Sequence, residues 1–195
     1  MTTGTDRPQV VLVRHGETAW TISGQHTGRT DIPLTDVGRR QAARLAPRLA
    51  GRRFEVVLTS PLGRALETCR LAGLGDTAEV SDGVLEWDYG AYDGRTTAEI
   101  RVEHPGWSLW SDGVPGGETA ADVAARADGV IERLRSLPGN SAVFSHGHFL
   151  RVLATRWLGL APADGRLLAL GPASVSVLAW EREQAVVGRW NDTLD

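Results

Sequence analysis

Four apolar residues, Val10 to Val13, run without a break and stop at Arg14-His15-Gly16. An uninterrupted apolar run of this length predicts a strand buried on both faces, here with a cation and a histidine at its C-terminal end. Val56 to Thr59 repeats the pattern and stops at Ser60-Pro61; Ala142 to Ser145 gives it a third time and stops at His146-Gly147-His148. Helical spacing fills the intervals. Thr35-Asp36 is an N-cap pair ahead of a helix over 38–49, with Leu45 and Leu49 on one face. Pro61 opens a helix through Arg64, Leu66, Thr68 and Leu71, a position where proline is tolerated. A longer helix is predicted over 118–137 and another over 148–158. Val175 to Trp180 and Ala185 to Arg189 read as a hairpin across 181–184 that closes the sheet.

Two segments break the rhythm. Residues 18–33, rich in glycine and threonine, read as a loop. Residues 80–118 read as a loop-rich insert with a short helix near 97–102, studded with Trp87, Tyr89, Tyr92, Trp107 and Trp110. Such an insert suits a lid or a pocket wall, and its aromatics suit either a core or a surface that grips an apolar leaving group. Strands alternating with helices imply an α/β fold: a three-layer α/β/α sandwich with a mostly parallel central sheet and right-handed crossovers. The 195 residues suit a single domain over 1–195. The three polar strand ends then fall at one edge of the sheet, where an open α/β fold places its site.

Composition narrows the partners. A hydrophobic share of 42% and a charged share of 23% are those of a soluble globular chain, and a net charge of -3 without runs of like charge offers no face for nucleic acid. No stretch approaches the ~20 apolar residues of a membrane span, and residues 1–9 lack the apolar core of a signal peptide, so a cytoplasmic location is expected. Cys69 stands alone, which excludes an internal disulfide and a cysteine metal cluster; its helical setting suits a small core residue. All 21 basic residues are arginine, as biased codon usage would produce, and any mechanism that needs a lysine is excluded.

A histidine beside a fixed arginine can attack a phosphoryl group, the guanidinium binding the oxygens while the imidazole supplies the lone pair. Leu12-Val13-Arg14-His15-Gly16-Glu17-Thr18 is followed in order by Thr27-Gly28, Leu34-Thr35, Ser60-Pro61, Arg64, Glu86, Gly90 and Ser145-His146-Gly147. In these motifs, from about Val10 to Trp180, the chain resembles the histidine phosphatase superfamily, the phosphoglycerate-mutase-like proteins. The resemblance implies that fold and the following roles. His15 accepts the phosphoryl group, its other ring nitrogen held by a backbone carbonyl. Arg14 and Arg64 bind phosphate, and His146 hydrogen-bonds the group and carries a proton. Glu86 protonates the leaving oxygen, with Asp88 as competitor; a carboxyl flanked by Trp87 and Tyr89 is expected to be partly desolvated, which raises its pKa. Thr27 and Gly28 lie where the family presents loop donors to substrate. Gly116-Gly117-Glu118-Thr119 is a helix start, although the family often brings this glutamate close to the site. His146 and His148 read as a weak metal pair without a third ligand, and no metal or cofactor is implied.

Within the resemblance the departures matter. Thr21 stands where the mutases carry asparagine, their pocket lysine is missing, and the basic insert after the acid is replaced by the short stretch 95–117. Gly24-Gln25-His26-Thr27-Gly28, Glu86 to Gly90, Trp110 to Gly113 and Gly116 to Thr119 look like the branch of small acid phosphatases and sugar bisphosphatases. A metal-independent phosphatase acting on small phosphomonoesters through a phosphohistidine is therefore expected. The alternatives are a cofactor-dependent phosphoglycerate mutase, a dedicated sugar bisphosphatase with Arg29, Arg95 or Arg101 gripping the second phosphate, and a non-catalytic phospho-ligand-binding module. Apolar residues at 175–190 leave a homodimer through edge strands open.

Overall fold

The structure, a computed structural model, describes residues 7–193. In chain order its elements are β1 (Val10–Arg14), α1 (Ala19–Ser23), α2 (Asp36–Ala43), α3 (Ala46–Leu49), β2 (Val56–Thr59), α4 (Gly63–Leu71), β3 (Ala78–Val80), α5 (Thr97–Glu103), α6 (Leu109–Asp112), α7 (Ala120–Arg135), β4 (Ser141–Ser145), α8 (Gly147–Trp157), β5 (Val175–Glu181) and β6 (Gln184–Asp192). The six strands form one sheet in the order β3-β2-β4-β1-β5-β6. The first four are parallel, whereas β5 and β6 run antiparallel at one side.

Period-two alternation distributes the core. Val10 and Leu12 of β1 and Val143 of β4 pack with α7 and α8 residues such as Ile131, Leu150 and Leu153. Val11 and Val13, with Ala142 and Phe144, pack with Leu45, Leu49 and Cys69 on the opposite face. Both sides of the sheet are thus covered, which is why its central strands read as unbroken apolar runs. Cys69 is buried, and burial pushes its thiol up to about 12, as suits an inert core residue.

The structure corrects three element boundaries. The helix expected over 38–49 is two helices, α2 and α3, because Pro47 lies in the first turn of α3 and has no N–H to continue the ladder from α2. The loop over 18–33 contains α1, opened by a reciprocal capping box between Thr18 and Thr21. The three-residue edge strand β3 falls where no strand was expected. In the insert Trp87, Tyr89, Tyr92 and Trp107 are buried in the α7–α8 core, so most of the aromatic cluster is packing. Among the described residues no helix is long and apolar enough to cross a membrane.

Candidate active site

Strands β2, β4 and β1 lie side by side and their ends are level, with Thr59 opposite Phe144 and Arg14 opposite Ser145. The next residue of each chain segment therefore emerges at one edge: Ser60, His146 and His15. His15 donates its backbone N–H to the Ser145 carbonyl, and its ring lies 5.2 Å from that of His146. Its side chain is almost fully buried, with Nδ1 2.8 Å from the carbonyl oxygen of Gly16. A carbonyl can only accept, so Nδ1 carries the proton and Nε2 keeps the lone pair. Burial first, then the charges of Arg14 and Arg64, push the His15 pKa well below ~6.5, so the ring stays neutral in mildly acid solution.

Two arginines flank this ring at different depths. Arg14 lines the pocket; its Nη1 donates to the Leu170 carbonyl, while its buried Nε finds no hydrogen-bond partner. Arg64 is fully buried behind the pocket. Its guanidinium donates to the carbonyls of Thr27 (3.1 Å), Gly28 (2.9 Å) and Thr30 (2.9 Å), and its Nε to His146 Nδ1 at 3.2 Å. Since that nitrogen accepts, His146 carries its proton on Nε2, which donates to Ser60 Oγ at 2.7 Å. Burial, Arg64, His15 and Arg14 all push His146 well below its ordinary pKa, so this arrangement holds a neutral ring where a proton carrier was expected. Both its nitrogens are engaged inside the protein. Thr27 lines the pocket, but the Gly28 N–H is taken by Asp93 at 2.7 Å and is no free donor.

The acid sits on the other wall. Glu86, 4% exposed, accepts from the backbone N–H groups of Trp87 (2.9 Å), Phe149 (2.8 Å) and His148 (3.1 Å). The last two belong to the first turn of α8, whose N-cap residue His146 offers no side-chain cap. Glu86 thus caps α8 from outside, and the helix N-terminus holds the carboxylate at the pocket. Asp88, the competing candidate, turns away to Arg29 and to the Gly90 N–H. Glu118 does not reach the pocket: it accepts from the Asp88 N–H and pairs with Arg126, which also donates to the carbonyls of Gly83, Leu85 and Glu86. Together they brace the loop that carries the acid.

Residues 10–193 match the sequence profile of the histidine phosphatase superfamily, branch 1. The chain belongs to this family. It is similar to an acid phosphatase of Mycobacterium tuberculosis, with 42% identity over 95% of this chain and 94% of that one. It is also similar to a sedoheptulose 1,7-bisphosphatase of Saccharomyces cerevisiae, with 35% identity over 78% and 68%. The solved structure of an open-reading-frame product from Mycobacterium tuberculosis superimposes with a TM-score of 0.89 at 40% identity, covering 95% of this chain and 98% of that one.

Beyond the family motif, the pocket of about 180 Å³ is walled by residues that sequence reasoning missed. Trp20 and Gln25 come from α1 and the turn after it; Tyr89 and His26 form one side wall; His148 and Arg151 come from α8. Tyr89 Oη lies 2.6 Å from His148 Nδ1, and burial raises the phenol and lowers the imidazole, so both are neutral. His146 and His148 therefore serve different partners and do not form a metal pair; among the described residues no three metal-binding side chains gather. Arg29, Arg95 and Arg101, expected as grips for a second phosphate, are instead tied to Asp88, Glu103 and the Trp107 carbonyl. A spacing signal for the true lining existed: His148 and Arg151, at i and i+3, share one helical face.

Proposed function

We propose that this family member is a phosphatase of small phosphomonoesters that works through a phosphohistidine at His15. The observation that carries the reading is that His15, whose Nδ1 proton leaves the Nε2 lone pair for attack, and Arg14 line one pocket with Glu86 on its wall. A guanidinium beside the nucleophile neutralises and orients the oxygens of an incoming phosphoryl group. In the proposed cycle Nε2 attacks phosphorus and the ester P–O bond breaks. Glu86 gives a proton to the departing alkoxide. Water then attacks the phosphohistidine, yields its proton to Glu86, and the P–N bond breaks to release phosphate. His146, its Nδ1 accepting from Arg64 and its Nε2 donating to Ser60, stays neutral and holds Arg64 in place behind the pocket. Thr27 adds a polar contact at the pocket wall.

The absent lysine favours water over a retained phosphoglycerate as acceptor. No step needs a metal, and a cytoplasmic location suits soluble metabolite phosphates; a homodimer through β6 is compatible with the same chemistry. Release of phosphate from p-nitrophenyl phosphate in the presence of EDTA tests the reading. The wild-type protein is expected to turn over and His15→Ala to be inactive while keeping its circular dichroism spectrum. Activity retained in His15→Ala would overturn the mechanism.

A further inference from the structure

The pocket has a second cationic wall that the phosphoryl chemistry does not use. Arg151 projects from the same face of α8 as Gly147 and His148 and lines the pocket with them. Its Nε donates to the Gly165 carbonyl at 2.9 Å, and its guanidinium carbon lies 4.6 Å from the centre of the Trp110 ring. The stem and one edge of the fork are thereby fixed, while among the described residues neither Nη has a hydrogen-bond partner and neither is among the buried, unpartnered atoms. Among the described residues no carboxylate pairs with it: the pocket acid, Glu86, is occupied by three backbone N–H groups. The pocket thus holds two guanidinium groups, Arg14 and Arg151, against one carboxylate, with its histidines neutral.

One phosphoryl group engages Arg14 and His15, and the Nη donors of Arg151 are left for another part of the ligand. Two free N–H donors in a planar fork match a carboxylate or a second phosphate better than a hydroxyl, because charge-assisted bidentate hydrogen bonds are roughly twice as strong as neutral ones. Both guanidinium groups line one pocket of about 180 Å³, so a single small ligand can meet them together. Resting on the reading of His15 as phosphoryl acceptor, we infer that Arg151 is a specificity residue that selects compact phosphomonoesters carrying a second anionic group.

Steady-state kinetics on a matched pair of probes tests this: 3-phosphoglycerate, which bears a distal carboxylate, and glycerol 1-phosphate, which bears a hydroxyl there. In the wild-type enzyme kcat/KM is expected to favour the acid by about tenfold or more, and high salt to narrow the ratio. In Arg151→Gln both probes lose, but the ratio collapses toward one; Arg151→Lys, which keeps the charge without the fork, falls between. A merely structural Arg151 lowers both probes equally and leaves the ratio unchanged, and that result overturns the inference. So does a wild-type ratio near one, which needs no folded variant to observe. Both failures leave p-nitrophenyl phosphate turnover by the wild-type enzyme and its loss in His15→Ala intact, and so are distinct from failure of the phosphohistidine reading.

Discussion

Glu86 has two duties that substitution separates. As a proton donor it matters most when the leaving group is a poor one; as the cap of α8 it satisfies the N–H groups of His148 and Phe149. Glu86→Gln keeps an acceptor oxygen and loses the transferable proton, so kcat on alkyl phosphates is expected to fall by roughly 10²–10⁴, with a smaller loss on p-nitrophenyl phosphate. Glu86→Ala also orphans buried N–H groups, a cost of about 1–3 kcal/mol, or several degrees at roughly 2–4 °C of Tm per kcal/mol. Calorimetry and kinetics on the pair check both. For His15 the sign follows from its depressed pKa: the nucleophile stays deprotonated as pH falls through ~6.5 and is lost only well below it. The pH profile of kcat/KM is expected to show no acid limb near 6.5; a limb there would contradict the buried, neutral ring.

At the scale of elements, the acid loop and the insert are held together by backbone laid against backbone. A Cβ on Gly117 would lie 2.3 Å from the Asp88 carbonyl oxygen, and one on Gly90, whose φ is +49°, would lie 2.3 Å from that of Pro115. Gly117→Ala is expected to push the insert off the loop and displace Glu86, lowering both Tm and kcat, while Gly129→Ala on open α7 surface leaves kcat near wild type and raises Tm by a few degrees, since a mid-helix glycine costs about 0.5–1 kcal/mol relative to alanine. These contacts show where the sequence was silent. His15, Arg14 and Glu86 were legible because each sits in a short motif beside a strand end or within a distinctive aromatic run. The bracing pair Glu118 and Arg126 was not, since its partners lie 30 to 43 residues away in the chain. Pro47 was readable as a helix breaker by its missing N–H, yet the apolar spacing of Leu45 and Leu49 pointed the other way. The committed state of Arg64 and His146, bonded to each other behind the pocket, depends on side-chain directions that no spacing encodes.

Across the whole molecule, three buried histidines, His15, His146 and His148, share one consequence. Their folded pKa values lie below the unfolded value of ~6.5, so above that pH they are neutral in both states and contribute nothing to the pH dependence. Below it the unfolded chain binds protons that the fold refuses, and stability is lost as pH falls, approaching ~1.4 kcal/mol per pH unit for each ring. Denaturation midpoints across the acid range check the sign and the slope. The central claim is the covalent intermediate. Rapid acid quenching during turnover of a phosphorus-labelled substrate, followed by peptide mapping, should place an acid-labile, hydroxylamine-sensitive phosphate on the peptide containing His15 and none on the His15→Ala protein. Turnover without any trapped label, or label on another residue, would contradict the account.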